Sequence, residues 1–322
     1  MKKIPGPLPG RLAVALGCLF STLALSTLAF GRPPEQMDLP DWSKTPVEDR
    51  DLGRGVHMLE SFGGNIGVLA GDEGVLLIDA EWPQLHDKVL AAVRHIAPNK
   101  PIRYLVNTHW HWDHVGGDGL FGKAGVVIFS SEQTYRYIAK AQQEHNAPGT
   151  PYAADRAALP VVTLTSGTTF HLAGQTVEVI HVPPAHTDGD LIVRFVDADI
   201  IQTGDTFFHG FYPDIDQPHG GTIDGMIAFY DTLYKMCGPN TKIIPGHGPI
   251  ANRDDVREYQ GMLREVRNRV AKAVAAGLTE DQLIATHPLD DLDVKWGGNL
   301  IKQPYLLAIV FEELQAKQKA AH

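Results

Sequence analysis

Three histidines and an aspartate lie close together in the stretch HWHWDH at positions 109–114. Neutral imidazole and carboxylate groups are the usual protein ligands of zinc. In an extended segment, residues two apart face the same way, so His109 and His111 can bind one ion. A turn after them can direct Asp113 and His114 towards a second ion. The spacing therefore predicts a metal site with room for two ions.

Three more residues of the same chemical types follow later in the chain, each just after a short apolar stretch. They are His186 in PAHTDGD, Asp205 in TGDT and His247 in PGHG. The ends of neighbouring strands meet at one edge of a packed sheet, which is where α/β folds place their sites. We therefore expect these three side chains to join the first group.

The elements that must position these residues are predicted from hydrophobic periodicity and from turn-forming residues. Buried strands are predicted at 102–106, 176–182, 199–202 and 242–244, each preceding one of the candidate ligands. Hairpins are predicted across 65–80 and 168–182. Helices are predicted at 85–96, 131–145, 223–236 and 256–270, and a last helix is predicted to begin at Pro304.

With these motifs in this order, the sequence resembles the metallo-β-lactamase superfamily over about residues 53–270. The resemblance implies an α/β (α+β) fold, a four-layer αββα sandwich with two mixed β-sheets. It also implies how the ligands divide between the ions. Metal one would take His109, His111 and His186, metal two would take Asp113, His114 and His247, and Asp205 would bridge both.

The function that the resemblance implies is hydrolysis by two zinc ions, although iron or manganese also suits such ligands. The ions would share a hydroxide that attacks the carbonyl of an ester, lactone, thioester or amide. Asp113 and Asp205 are the expected catalytic residues, because they would orient this nucleophile and accept its hydrogen bond. The expected partner is a small-molecule substrate.

Two alternatives stay open, a dedicated β-lactamase and a metal-binding accessory protein of an exported redox system. Asp205 argues against the first, because antibiotic hydrolases of this superfamily usually carry cysteine or serine in that region. The ligand set is more similar to that of glyoxalase II, lactonases and ribonuclease Z. The acidic charge and the N-terminal segment described below disfavour ribonuclease Z, and His111 disfavours the flavodiiron proteins, which have glutamate there.

The aromatic loop 207–213 follows Asp205 directly and is the candidate substrate pocket. His209 or Tyr212 could donate to a developing oxyanion, and Phe211 could line an apolar surface. His219, before two glycines, is a similar candidate. The alternative for all four is that they serve packing only.

The N-terminus has the pattern of a cleaved signal peptide, predicted over residues 1–31. Three basic residues precede a run of apolar and small residues, and their removal would take the net charge from −10 to −13. The expected location is periplasmic or secreted, with no stable membrane association after cleavage. The acidic charge also predicts no nucleic-acid partner. The sequence does not indicate an oligomeric state.

The 322 residues are then divided into four parts. After the signal peptide, a linker or N-terminal arm is predicted at 32–52 and the hydrolase domain at 53–275. A C-terminal helical extension packed on that domain is predicted at 276–322. Because Cys18 would leave with the signal peptide, Cys237 would be the sole cysteine and is expected to be a buried apolar residue.

Overall fold

Seven strands form the first of two mixed sheets in the computed structural model, which describes residues 39–144, 155–298 and 301–320. The strands lie in chain order across the sheet. The first four pair antiparallel and the last three add in parallel. They are β1 (Glu48–Gly53), β2 (Val56–Glu60), β3 (Ile66–Gly71), β4 (Gly74–Ile78), β5 (Ile102–Val106), β6 (Val127–Ser131) and β7 (Val162–Leu164).

The second sheet has five strands in the order β12-β11-β10-β9-β8. Only β11 and β12 pair in parallel, and the other neighbours run antiparallel. The strands are β8 (Gly167–Leu172), β9 (Gln175–His181), β10 (Leu191–Phe195), β11 (Ile200–Gln202) and β12 (Lys242–Ile244).

Helices cover the outer faces of both sheets. In chain order they are α1 (His86–Ile96), α2 (Trp112–Val115), α3 (Asp118–Lys123), α4 (Glu132–Glu144), α5 (Ile223–Met236), α6 (Arg253–Ala275), α7 (Glu280–Ala285), α8 (Asp290–Trp296) and α9 (Gln303–Ala320). Among the residues that the structure describes, no helix is long and apolar enough to cross a membrane.

Three apolar cores hold these layers together. One lies between the sheets, where residues such as Leu76 of β4 meet residues such as Val193 of β10. A second joins the outer face of the first sheet to α1 and α3. The third joins the outer face of the second sheet to α5 and to the C-terminal helices. The architecture is therefore αββα, and the predicted fold class is confirmed.

Most predicted elements are present, with α5 and β12 at the predicted bounds. Hydrophobic periodicity predicted the elements best where one face of an element is buried and the other is not. Residues 48–52 differ from the prediction, because they form most of the edge strand β1 rather than a linker. Their mainly polar side chains are exposed and gave no strand pattern. Cys237 is buried, as expected. The predicted signal peptide lies outside the described residues.

The C-terminal helices share a core with α5 and α6. Leu283 of α7, Trp296 of α8 and Leu307 of α9 all belong to the same buried cluster as Leu263 of α6. A buried glutamate, Glu313 of α9, also accepts a hydrogen bond from the first backbone N–H of α5, at Ile223, over 2.8 Å. Residues 39–322 accordingly form one compact unit.

Replacing Glu313 with alanine should lower the free energy of unfolding by about 2 kcal/mol. The change leaves the buried Ile223 N–H without its acceptor and removes a charge at the start of α5. Urea unfolding followed by circular dichroism measures the difference. Glu312→Ala is the matched control, because this neighbouring glutamate is exposed. Equal losses in the two variants would contradict the assigned role of Glu313.

Candidate metal centre

The candidate ligands meet where strands of both sheets end. The 109–114 stretch follows β5, His186 lies between β9 and β10, Asp205 follows β11, and His247 follows β12. The structure brings all seven predicted ligands into two adjacent groups. One ligand atom from each residue lies within 4.8 Å of the others in its group.

The first group, called site one, contains His109, His111, His186 and Asp205. The Nδ1 atom of His111 and the Nε2 atom of His186 are 3.0 Å apart. Asp205 Oδ2 lies 3.6 Å from His109 Nε2 and 3.8 Å from His186 Nε2. Three imidazole nitrogens and one carboxylate oxygen thus surround a single point.

The second group, called site two, contains Asp113, His114 and His247. His247 Nε2 lies 3.2 Å from Asp113 Oδ2 and 3.4 Å from His114 Nε2. Asp205 also reaches this group, with its Oδ1 atom 3.0 Å from His114 Nε2. Its Oδ2 atom, which faces site one, also lies 3.4 Å from His247 Nε2. The Asp205 carboxylate therefore lies between the two groups and is close to ligand nitrogens of both.

Hydrogen bonds outside site one fix the tautomers of His111 and His186. The Nε2 atom of His111 faces Asp216 Oδ2 at 3.0 Å, and the Nδ1 atom of His186 faces the backbone oxygen of Asp214 at 2.9 Å. Both partners only accept hydrogen bonds, so each of these nitrogens carries a proton. The opposite nitrogens then present lone pairs to each other.

Asp79 fixes the tautomers of two other histidines, His114 directly and His109 through Thr108. It accepts from Nδ1 of His114 at 2.8 Å and from the Thr108 hydroxyl at 2.8 Å. Because the Thr108 proton is used there, its oxygen accepts from Nδ1 of His109 at 3.0 Å. The Nε2 lone pairs of His109 and His114 are left to point into the centre.

Converging lone pairs repel unless a cation lies between them, so this donor set fits metal ions. Two buried atoms support the same view, since His109 Nε2 and Asp205 Oδ1 lack a hydrogen-bond partner among the described residues. Buried polar atoms are rarely left unpaired without a functional reason. The imidazoles of His109, His111, His114 and His186 are each oriented by an outer partner in the way that metal-binding histidines require.

The charges of the centre attract cations in general, including protons. Burial alone would lower the pKa of His111, but Asp216 outweighs it and raises the pKa to about 9. At His247 burial also acts downwards, and the nearby carboxylates of Asp205 and Asp113 raise the pKa to about 10. The pKa of His114 is also raised, because Asp205 and Asp79 outweigh its burial. In the metal-free protein the carboxylates therefore favour protons on these nitrogens, which a metal ion must displace.

Two glycines allow the backbone to approach the ligands. A Cβ atom on Gly64 would lie 2.2 Å from His114 Cε1, and one on Gly246 would lie 2.0 Å from Asp205 Oδ1. Neither distance is sterically possible without movement of a ligand. Asp190 fixes a third ligand by accepting the backbone N–H of His186 at 2.9 Å.

The predicted substrate residues are placed in different surroundings. Tyr212 is fully buried, and its hydroxyl donates to Asp293 Oδ1 at 2.9 Å, so it packs inside the protein and does not face the centre. His209 is held by the backbone oxygen of Pro249 at 2.9 Å. Phe211 contacts Phe208, which stacks on the ligand His247. Of these three loop residues, Phe211 therefore fits its predicted role best, which is to line an apolar surface near the ligands.

His219 contacts the surroundings of site one, not the ligands themselves. Its Nδ1 atom lies 2.8 Å from Asp216, and its ring packs on Trp110 and Tyr137. Trp110 Nε1 donates to the same Asp216 carboxylate at 2.9 Å. His219 therefore belongs to the group of side chains that holds Asp216 beside His111.

The roles of the outer carboxylates Asp79, Asp190 and Asp216 were not predicted from the sequence. Asp79 directly follows β4, so the strand-end rule that found Asp205 could also have found it. Asp190 stands in the quoted PAHTDGD stretch but had no role assigned. Asp216 lies in a loop without periodicity, and no local pattern marks it.

Comparison with known proteins places this geometry in a family. The family model of the metallo-β-lactamase superfamily matches residues 60–277, more than half of the chain. A solved metallo-β-lactamase from Pontibacter korlensis superposes with a TM-score of 0.55 at 20% sequence identity, covering 68% of this chain and 99% of that one. Fold and site define a metal-binding αββα protein. The chain belongs to the metallo-β-lactamase superfamily.

Two curated relatives are named for different activities. The 2,4-dinitroanisole O-demethylase subunit alpha of Nocardioides sp. (strain JS1661) is 26% identical over 44% of this chain. The linear primary-alkylsulfatase of Pseudomonas sp. (strain ATCC 19151) is 23% identical over 67% of it. The matches span only 40% and 48% of the lengths of these two relatives.

Replacing Asp216 with asparagine should weaken metal binding at site one by roughly 10- to 100-fold, the usual effect of losing such an outer carboxylate. Competition between the protein and a chromophoric chelator for Co²⁺ measures the affinity of each site. Asp188→Asn is the control, because Asp188 accepts from Tyr137 and from none of the ligands. Unchanged affinity at both sites in Asp216→Asn would refute this role.

Zinc binding to the metal-free protein should release protons at pH 7.5, because His111, His114 and His247, whose pKa values are all raised by nearby carboxylates, must lose theirs to bind a metal. Affinity should therefore fall as the pH is lowered, and proton release should vanish above the raised pKa values. Calorimetric titrations in buffers of different ionisation enthalpy give the number of protons. Release of none at pH 7.5 would contradict the assigned protonation.

Proposed function

We propose that the protein is a dinuclear zinc hydrolase that cleaves a carbonyl substrate, an ester, lactone, thioester or amide. The observation that carries the proposal is the Asp205 carboxylate, which lies between two adjacent ligand groups, 3.6 Å from His109 Nε2 of one and 3.0 Å from His114 Nε2 of the other. Bound zinc ions would supply a water activated to hydroxide near neutral pH and a Lewis acid for the carbonyl oxygen.

The protein's own residues have separate tasks in this proposal. Asp113 and Asp205 would lie next to the nucleophile and could accept its hydrogen bond, which would orient its lone pair. The outer carboxylates Asp79 and Asp216 prevent the histidines from turning. Phe208, stacked on His247 with an angle of 7° between the rings, covers one face of this imidazole.

The activities for which the relatives are named are relevant to the type of bond that this protein cleaves. One relative is named as an alkylsulfatase and one as an O-demethylase subunit, so attack at sulfate esters and aryl ethers belongs in the same test. The bridging carboxylate favours a carbonyl substrate, because the resemblance to glyoxalase II and lactonases rests on it. A dedicated β-lactamase stays the first alternative, and a non-hydrolytic accessory role the second.

Zinc is proposed over iron or manganese because imidazoles outnumber carboxylates among the ligands. A small-molecule substrate is proposed as the partner. A periplasmic or secreted location is proposed from the N-terminal sequence pattern alone.

Elemental analysis and a substrate panel test the proposal together. We expect about two zinc ions per chain and turnover of at least one of a lactone, a thioester and a p-nitrophenyl ester. Nitrocefin turnover as the dominant activity would favour the β-lactamase alternative. An alkyl sulfate and an aryl methyl ether extend the panel to the bonds named in the relatives. Bound zinc without any turnover would favour the accessory role, and no bound metal would refute the proposal.

His111→Ala and Asp205→Ala should each lose bound metal and activity together while the fold persists. Both changes remove a ligand from a site whose other members stay in place, so circular dichroism should be close to that of the wild type. His95→Ala is the control, because His95 is an exposed histidine on α1. Full activity in either ligand variant would overturn the ligand assignment.

A further inference from the structure

The segment of residues 41–47, before β1, is fixed to the body of the protein by one lysine. Lys88 of α1 donates to three backbone carbonyls of the segment, those of Trp42, Ser43 and Thr45, at 2.8, 3.0 and 2.6 Å. An ammonium group with three protons can satisfy three acceptors at once. Such convergence on one side chain holds the segment in a defined path.

The segment in turn contacts the loop between β2 and β3. The Ser61 hydroxyl donates to the Pro46 carbonyl at 2.6 Å. The rings of Trp42 and Phe62 meet edge to face, with their centroids 5.6 Å apart. One hydrogen bond and one aromatic pair thus connect residues 41–47 to the start of this loop.

The other end of the same loop touches the ligands of site two. The Gly64 N–H donates to the backbone oxygen of Asp113 at 3.2 Å. The Gly63 N–H donates to the buried Glu81 carboxylate at 2.8 Å. Gly64 also packs directly on the ring of His114. The loop therefore lies between residues 41–47 and site two.

A row of aromatic rings forms a second connection between residues 41–47 and site two. Trp42 contacts Trp82 with centroids 5.1 Å apart, and Trp82 contacts Trp112, the neighbour of Asp113, at 3.8 Å. Trp82 is buried, whereas Phe62 keeps 39% of its surface exposed. Phe62 is thus a large apolar side chain that is accessible and one residue from the loop's contacts with the centre.

We propose that residues 41–47 are a brace that holds the Phe62–Gly64 loop against site two, with Trp42 and Lys88 as its positioning residues. Trp42 sets the position of Phe62, and Lys88 sets the position of Trp42. Resting on the proposed function, the brace also fixes the border of the substrate entrance on the side of Asp113, and so affects substrate binding more than the chemical step.

Hydrogen exchange tests the brace without any substrate, because the Gly63 and Gly64 amides are hydrogen-bonded reporters of loop opening. In the zinc-loaded protein, Trp42→Ala and Lys88→Met should each speed exchange in a peptide covering residues 59–66 by about tenfold, the size expected from losing a few such contacts. Exchange in β9 should be unchanged. Trp42→Phe should restore much of the protection.

Matched controls separate the brace from general destabilisation. Lys100→Met removes a partly exposed lysine that bonds Asp72, and Leu120→Ala trims an exposed apolar side chain on α3. Neither should change exchange in the loop peptide. Wild-type exchange in Trp42→Ala and Lys88→Met would overturn the proposal, as would an equal increase throughout the protein.

A kinetic arm tests the effect on substrate binding, with a p-nitrophenyl ester as the probe. Trp42→Ala should raise KM several-fold and leave kcat within about twofold, because only binding contacts are altered. A fall in kcat with unchanged KM would overturn this part of the proposal. If the wild type turns over none of the lactone, the thioester and the p-nitrophenyl ester, the proposed function fails, and the exchange result alone decides the brace.

Discussion

The gathering of seven ligand side chains in one place, four of them buried and three partly buried, is the constraint on which the rest of the structure depends. Removing imidazoles and carboxylates from water is costly unless each has a partner. The protein meets this cost with a second layer of acids, because Asp79, Asp190 and Asp216 each hold one or more of the ligand residues. The ligands are therefore oriented before any ion arrives, which reduces the reorganisation that metal binding requires.

The same constraint explains how the two sheets are joined at this edge. Asn65, at the start of β3, donates through its side chain to the backbone oxygens of Pro245 and Gly248, both at 2.9 Å. Gln202 of β11 returns a hydrogen bond to the backbone oxygen of Asn65 at 3.0 Å. Buried polar groups thus connect the sheets beside the ligands, while the apolar core connects them elsewhere. Because each ligand group contains residues that follow strands of both sheets, the relative position of the sheets sets the distances within each group.

The sequence predicted the ligands well because their chemistry and their place at strand ends are local properties. It predicted the sandwich through the resemblance and through strands with one buried face. It could not predict Asp216, whose role arises only when a loop about a hundred residues away folds beside His111. Nor could it show that Tyr212 points to α8, since an aromatic residue in a loop has the same local pattern whether it packs or binds. β1 was missed because its mostly exposed, charged side chains lack alternation.

Glu313 has a consequence for the order in which the molecule can form. The N-terminus of α5 receives a hydrogen bond acceptor that lies 90 residues later in the chain. A growing chain folds from its N-terminus as it emerges, at roughly 5–20 residues per second. The first sheet can form from residues that are already made. The first turn of α5 gains its Glu313 acceptor only after nearly the whole chain has been made. Three of the seven ligands, His186, Asp205 and His247, lie in the second half of the chain. Metal capture is therefore expected to be among the last events of folding rather than a nucleus for it.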